Sequence, residues 1–280
     1  AENEAELDKA LRTCGDRARA AFGVEAVYLE RYLDAPRHVE VQILGDSRGK
    51  RLHLFDRECS IQRRHQKVLE EAGSPLFLNG QNAELQQRMF TAALAAAKAF
   101  GYANAGTVEF LVADGDFHFI EMNARLQVEH PVTEFITGVD LIGWQLRIAA
   151  GEALDLEQGA VRRAGAAIQL RVYAEDPVRF LPRPGTIAVW EEPRIEGVRV
   201  DAGYAAGQTV TPFYDPLLAK IVVHGADRDD AIGRALEAVE AFRIEGEKLQ
   251  TNLDLHRRIL QSETFRAGAL DTRFLERLTT

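Results

Sequence analysis

Apolar and polar positions along the chain follow two periods. Residues 38–44, HVEVQIL, alternate: Val39, Val41 and Ile43 share one face, and His38, Glu40 and Gln42 share the other. That is the signature of a half-buried strand. The turn residues GDSRGK (45–50) and the return of RLHLF (51–55) make this a predicted hairpin. AVYLERYL (26–33) reads as a short apolar strand broken at Glu30 and Arg31. Helical spacing governs elsewhere. The opening AENEAELDKALRTCGDRARAAFG carries a loose stripe through Leu11, Cys14, Ala18 and Phe22, with a stop at Gly23. This helix is already under way where the chain begins, so a longer parent chain is expected. Residues 82–101 predict a strong helix, apolar at Leu85, Met89, Ala93, Ala96 and Phe100. Residues 106–123 predict a hairpin around Asp114-Gly115, and 138–151 a helix ending at Gly151. Beyond about residue 155 come strand-like runs punctuated by Pro and Gly, then helices over 228–243 and 251–261. The mixture predicts an α+β fold. Residues 56–75, DRECSIQRRHQKVLEEAGSP, are polar and crowded with potential ligands, and no element is assigned there.

One stretch breaks its own pattern. FHFIEMNARLQVEHPVTE (117–134) opens as a strand, then places Glu121, Asn123, Arg125, Gln127 and Glu129 at every second position. Glu121, Asn123 and Arg125 therefore share a face. Whether Glu109 joins them depends on the turn. A three-residue loop, Ala113-Asp114-Gly115, sets Glu121 opposite or diagonal to Glu109, whereas a two-residue turn puts them on opposite faces. Abutting carboxylates call for a cation, and Mg²⁺ held with substrate phosphates is the usual one; the alternative is a solvated face with one carboxylate paired to an Arg. Arg125, Gln127 and Glu129 offer a guanidinium, an amide and a carboxylate, enough to hold a small planar anion and keep a base. An internal Arg–Glu pair explains them equally well. Pro131 takes the chain off the strand.

Composition narrows the partners. The chain has 280 residues, 46% hydrophobic and 28% charged, with a net charge of −9. The acidic balance disfavours nucleic acid, and no apolar run reaches the ~20 residues of a membrane span. Cys14 and Cys59 stand far apart, the histidines lack zinc-site spacing, and no secretory signal is visible, so a reduced, cytoplasmic setting is expected. GDSRGK is one residue short of a phosphate loop and has no Ser/Thr after the Lys. QRRHQK (62–67) offers Arg63, Arg64 and Lys67 to phosphates, although a short basic run is more often a solvated loop.

ERYLDAPRHVEVQIL, RECSIQRRHQK, GTVEFLV, FIEMNARLQVEHPVTEFITGVDLI, LRVYAEDPVRFLPRPG and FYDPLLAKIVVHG, in that order, resemble the biotin carboxylase family. This is the ATP-grasp component of biotin-dependent carboxylases. The resemblance implies the end of an ATP-grasp lid over 1–25, a catalytic lobe over 26–155 and a biotin carboxylase C-terminal domain over 156–280. It implies metal ligands Glu109, Glu121 and Asn123 for Mg²⁺ or Mn²⁺, and Lys67 at the transferred phosphate. Glu30, Arg31, Leu33, His38, Gln62 and His65 would face ATP. Arg125, Gln127 and Val128 would hold bicarbonate, Glu129 would be the base, and Arg171 would stabilise the biotin enolate. Expected partners are a biotin carboxyl carrier protein or domain, a carboxyltransferase, the N-terminal region of the family and a second copy of the chain. That N-terminal domain and a glycine-rich lid are not matched here, so weak ATP binding and poor turnover are expected of this polypeptide alone. AGSPLFLNGQNAEL is longer than the family's usual connection and is expected to be a surface loop. Another ATP-grasp ligase, or a non-catalytic assembly module, are the alternatives.

Overall fold

The computed structural model describes residues 1 and 3–278, in two compact units that divide between residues 34 and 35. In the first unit, helix α1 (Glu4–Phe22) starts where the Asn3 side chain accepts from the Glu6 amide, and ends at Gly23, whose φ of 78° suits glycine. Residues 24–33 are irregular. The strand expected over 26–33 does not form: an extended run needs a neighbour for its backbone groups, and no sheet pairing among the described residues includes this one.

The second unit is built on one eight-stranded sheet. Its strands are β1 (Arg37–Gly45), β2 (Arg51–Arg63), β3 (Gln66–Ala72), β4 (Asn104–Ala113), β5 (Asp116–Asn123) and β6 (Ala166–Tyr173). β7 (Thr186–Glu191) and β10 (Arg243–Glu247) form a separate ribbon, while β8 (Val198–Ala202) and β9 (Leu217–Gly225) complete the large sheet. The order is β5-β4-β1-β2-β3-β6-β9-β8, antiparallel throughout. Helix α2 (Ala83–Ala99) buries Leu85, Met89 and Ala93 against Val39, Val41, Ile43, Val108 and Phe110. Helices α3 (His130–Thr137) and α4 (Leu141–Ala149) follow β5. Further along, α5 (Arg228–Ala241) and α6 (Leu253–Gln261) pack on β6 and β9 around Ile168, Leu170, Ile221 and Val223. Two short helices, α7 (Glu263–Arg266) and α8 (Phe274–Leu278), end the described chain.

The polar run 56–75 departs most from expectation. It is the rest of β2 and all of β3, joined at Arg64-His65, and it is buried along most of its length. The segment after it is a surface loop only in its second half: Pro75–Gly80 is a 3₁₀ turn that buries Pro75 and Phe77, and residues 79–84 are exposed. Pro131 starts a helix rather than merely ending a strand, because a proline in the first turn of α3 sacrifices no helical hydrogen bond.

Candidate active site

A row of charges crosses four neighbouring strands. Arg57 of β2 pairs with Glu40 of β1, Glu40 with Glu109 of β4, and Glu109 with Glu121 of β5. The route to that last pair was not among those foreseen. The turn has two residues, Asp114 (φ 53°) and Gly115 (φ 75°), with Ala113 opposite Asp116. That alone would send Glu121 to the far face. However, the register slips between Phe110↔Phe119 and Glu109↔Glu121, leaving Ile120 as an extra residue. This β-bulge returns Glu121 to the face of Glu109. The Asn123 amide then donates to both carboxylates, at 2.9 and 3.0 Å.

Adjacent carboxylates repel, and three cations answer them. The Lys67 ammonium, delivered by β3, lies 2.6 Å from Glu40, 2.6 Å from Glu129 and 3.2 Å from Glu109. Burial opposes its charge, but Glu40 and the other carboxylates outweigh burial and push its pKa far up. Arg57 is fully buried and donates to Glu40 at 2.6 Å and to Gln127 Oε1 at 2.8 Å. Arg171 of β6 donates to Glu70 at 2.6 Å and to Glu129 at 3.1 Å. Glu129 occupies the N-cap position of α3 without capping it, so both its oxygens face these cations. Burial works against ionisation of Glu109, but His38 (2.8 Å) and Lys67 prevail and hold its carboxyl down at about 2. For Glu40, burial is likewise outweighed by Arg57 and Lys67, and the pKa falls. At Glu70 burial wins over Arg171, and the pKa rises.

Of the residues singled out in the sequence, His38, Lys67, Glu109, Glu121, Asn123, Gln127, Glu129 and Arg171 form one connected network. The Val128 carbonyl accepts from Lys220 at 3.2 Å, outside that set of contacts. Arg125 is exposed at the rim and donates to Asn123 Oδ1 and the Leu126 carbonyl, both at 3.2 Å. Gln62 faces Lys67 across β2–β3, and His65 is exposed in the turn. Arg63 is taken up by a bidentate pair with Glu175. Glu30, Arg31 and Leu33 belong to the irregular segment of the first unit. Sequence reasoning passed over Glu40, Arg57 and Glu70 as site residues. Glu40 had a visible signal, its place beside His38 on the polar face of β1; Arg57 and Glu70 lay in the run given no element.

The donor set discriminates between cations. The Glu109 and Glu121 carboxylates present oxygen donors that suit a hard ion such as Mg²⁺, Asn123 turns its Nδ2 toward them and its Oδ1 toward Arg125, and carboxylates outnumber cations in the row. Cys59, near Glu40 and Glu129, is a poor ligand for a soft metal, because burial raises its thiol pKa well above the ordinary value.

Both halves of the chain match known protein families. Residues 1–157 match the family model "Carbamoyl-phosphate synthase L chain, ATP binding domain", and residues 169–277 match "Biotin carboxylase C-terminal domain". The chain belongs to the biotin carboxylase family. It is 48% identical to biotin carboxylase 2 of Bacillus subtilis over 276 residues, covering 98% of this chain and 61% of that protein. It is 47% identical over 274 residues to a pyruvate carboxylase subunit of Methanothermobacter thermautotrophicus, covering 98% and 55%. The biotin carboxylase domain dimer of Hydrogenobacter thermophilus 2-oxoglutarate carboxylase, solved with MgADP and bicarbonate, superimposes with a TM-score of 0.92 at 42% identity. That match covers 98% of this chain and 60% of the other. A biotin carboxylase–β,γ-ATP complex from Campylobacter jejuni gives the same TM-score at 40% identity, with 99% and 60% covered. The fold is thus that of an ATP-grasp domain followed by a biotin carboxylase C-terminal domain, and the chain spans about three fifths of the length of these relatives. No helix among the described residues is long and apolar enough to cross a membrane.

Proposed function

We propose that this chain carries the bicarbonate- and biotin-facing part of a biotin carboxylase, an ATP-dependent ligase that carboxylates biotin on a carrier protein through carboxyphosphate. The observation that carries this reading is Glu129, set between Lys67 and Arg171 within one network that also holds Gln127. Glu129 accepts the proton of bicarbonate, which Arg125, Gln127 and the Val128 backbone hold in place. The resulting dianion attacks the γ-phosphorus of ATP and ADP departs. Lys67 neutralises charge on the transferred phosphoryl group. Carboxyphosphate then breaks down to CO₂ and phosphate; the phosphate takes the proton of the ureido nitrogen of biotin, Arg171 meets the enolate oxygen so formed, and the nitrogen adds to CO₂. Glu109, Glu121 and Asn123 would hold Mg²⁺ or Mn²⁺, which supplies charge neutralisation at the ATP phosphates. His38, Gln62, His65 and the segment with Glu30, Arg31 and Leu33 serve the nucleotide.

In this reading residues 1–25 end the lid, 26–155 form the catalytic lobe and 156–280 the C-terminal domain; the change from one family model to the other between residues 157 and 169 supports the second of these boundaries. The carrier, the carboxyltransferase that selects the final acceptor, the N-terminal region and a second copy are the partners. The dimeric Hydrogenobacter relative supports the last of these. The test is bicarbonate-dependent ATP cleavage stimulated by free biotin, with the N-terminal region supplied. Glu129→Gln should abolish it and leave ATP binding intact. ATP cleavage that requires a different acceptor would instead identify another ATP-grasp ligase.

A further inference from the structure

Arg57 has no exposed surface and no free donor. Its Nε donates to Glu40 Oε1 at 2.6 Å. One terminal nitrogen serves Gln42 Oε1 at 2.6 Å and Thr133 Oγ1 at 2.9 Å, and the other serves Thr107 Oγ1 at 3.1 Å and Gln127 Oε1 at 2.8 Å. A guanidinium has five N–H groups, and here five side chains from β1, β4, α3 and the Gln127 loop take one each. The two ends of a glutamine amide have nearly the same shape but opposite polarity, and a guanidinium can donate only to the oxygen. The contact with Arg57 therefore fixes which way the Gln127 amide faces. Its Nε2 must turn away from Arg57, and it donates to Glu109 Oε1 at 2.6 Å. Arg57 also holds Oε1 of Glu40, leaving Oε2 for the Lys67 ammonium at 2.6 Å.

We propose that Arg57 is the positioning residue of this site, setting the orientation of the Gln127 amide and, through Glu40, the place of Lys67. Its consequence for bicarbonate rests on the function proposed above; the orientation itself does not. Lysine is no substitute, because one ammonium with three donors on a flexible stem cannot span five acceptors.

The test reads the amide directly. In the chain labelled with ¹⁵N-glutamine, the Gln127 side-chain signal is identified by its loss in Gln127→Ala. Arg57→Lys should speed hydrogen exchange of that amide by at least about tenfold, the effect of losing a hydrogen bond to a charged group. With the N-terminal region supplied, the bicarbonate KM should rise by a similar factor of about tenfold, while the KM for MgATP changes less than about twofold. Unchanged Gln127 exchange in a folded Arg57→Lys protein overturns the proposal, as do two KM values that rise together. If Arg57→Lys does not fold, the isosteric pair Thr107→Val and Thr133→Val takes its place. It loosens the guanidinium without removing it, and exchange should be about threefold faster; no change there overturns the proposal as well. Faster exchange with an unchanged bicarbonate KM keeps Arg57 as the positioning residue and removes bicarbonate binding from Gln127.

Discussion

The inner wall of the site, on β1, β2 and β3, and its rim, on β5 and residues 124–126, use the same residue types under opposite constraints. On the wall, Glu40, Arg57 and Glu70 are fully buried, and every one has a charged partner within 2.6 Å. On the rim, Glu121 and Arg125 are exposed, and their contacts are longer bonds to neutral groups, the Asn123 amide and the Leu126 carbonyl. A charge withdrawn from water is tolerated only while its partner stays. The wall therefore binds stability and chemistry together, whereas the rim leaves its groups free for ligands at little cost to the fold. Removing charges should separate the two regions.

The largest effect is expected at Lys67. Lys67→Met removes the cation shared by Glu40, Glu109 and Glu129. Breaking a buried pair on one side costs about 3–5 kcal/mol. In a domain of this size that lowers Tm by roughly 10 °C. Calorimetry checks it; an unmoved Tm would mean that the wall is not held by its ion pairs.

Acid should attack the wall in a defined window. The Glu109 carboxyl lies at about 2 in the fold against an ordinary 4.5, because His38 and Lys67 overcome burial. A depressed carboxyl contributes stability that is complete above about pH 4.5 and is lost as pH falls toward about 2. Glu70 and Glu71, raised by burial, have the opposite sign: the stability they contribute is present below the ordinary carboxylate value and lost as pH rises through their folded pKa. Urea midpoints between pH 6 and 2 should show that Glu109→Gln flattens the acid limb. An unchanged limb would remove Glu109 from the acid response.

How these regions could be read from the sequence follows from the same contrast. The alternation of HVEVQIL, the stripe of 82–101 and the Asp114-Gly115 turn are local signals, and all three elements formed where expected. The strand over 26–33 was predicted from composition and never formed, since pairing is not a local property. Residues 56–72 failed in the other direction. A strand rich in Asp, Arg, Glu and Gln looks like a loop until neighbours supply countercharges, and those neighbours lie as far away as Arg171 and Arg228. Glu121, Gln127 and Glu129 were visible as a polar ladder, but the bulge at Ile120 that aims Glu121 has no mark in the sequence.

That bulge allows a register test of the rim. Inserting one alanine after Ile120 carries Glu121 past Glu109 to a place opposite Val108, on the face occupied by Phe110. Deleting Ile120 instead leaves a regular hairpin, with Glu121 still opposite Glu109. Mn²⁺ titrations with nucleotide should show the insertion about tenfold weaker, a difference of ~1.4 kcal/mol, and the deletion close to wild type. Equal affinities would remove Glu121 from the metal site.

Arg125 should move stability least. Its guanidinium is exposed and holds two 3.2 Å bonds to neutral oxygens, so no buried charge is orphaned when it goes. Arg125→Ala should stay within about 0.5 kcal/mol of wild-type stability, a Tm change of roughly 1–2 °C. Bicarbonate-dependent turnover should nonetheless collapse once the N-terminal region is supplied, since the anion loses the guanidinium proposed to hold it. The dissociation between the two readouts is the informative part. A large drop in Tm would make the rim as structural as the wall and erase the contrast, while full activity would take bicarbonate away from Arg125.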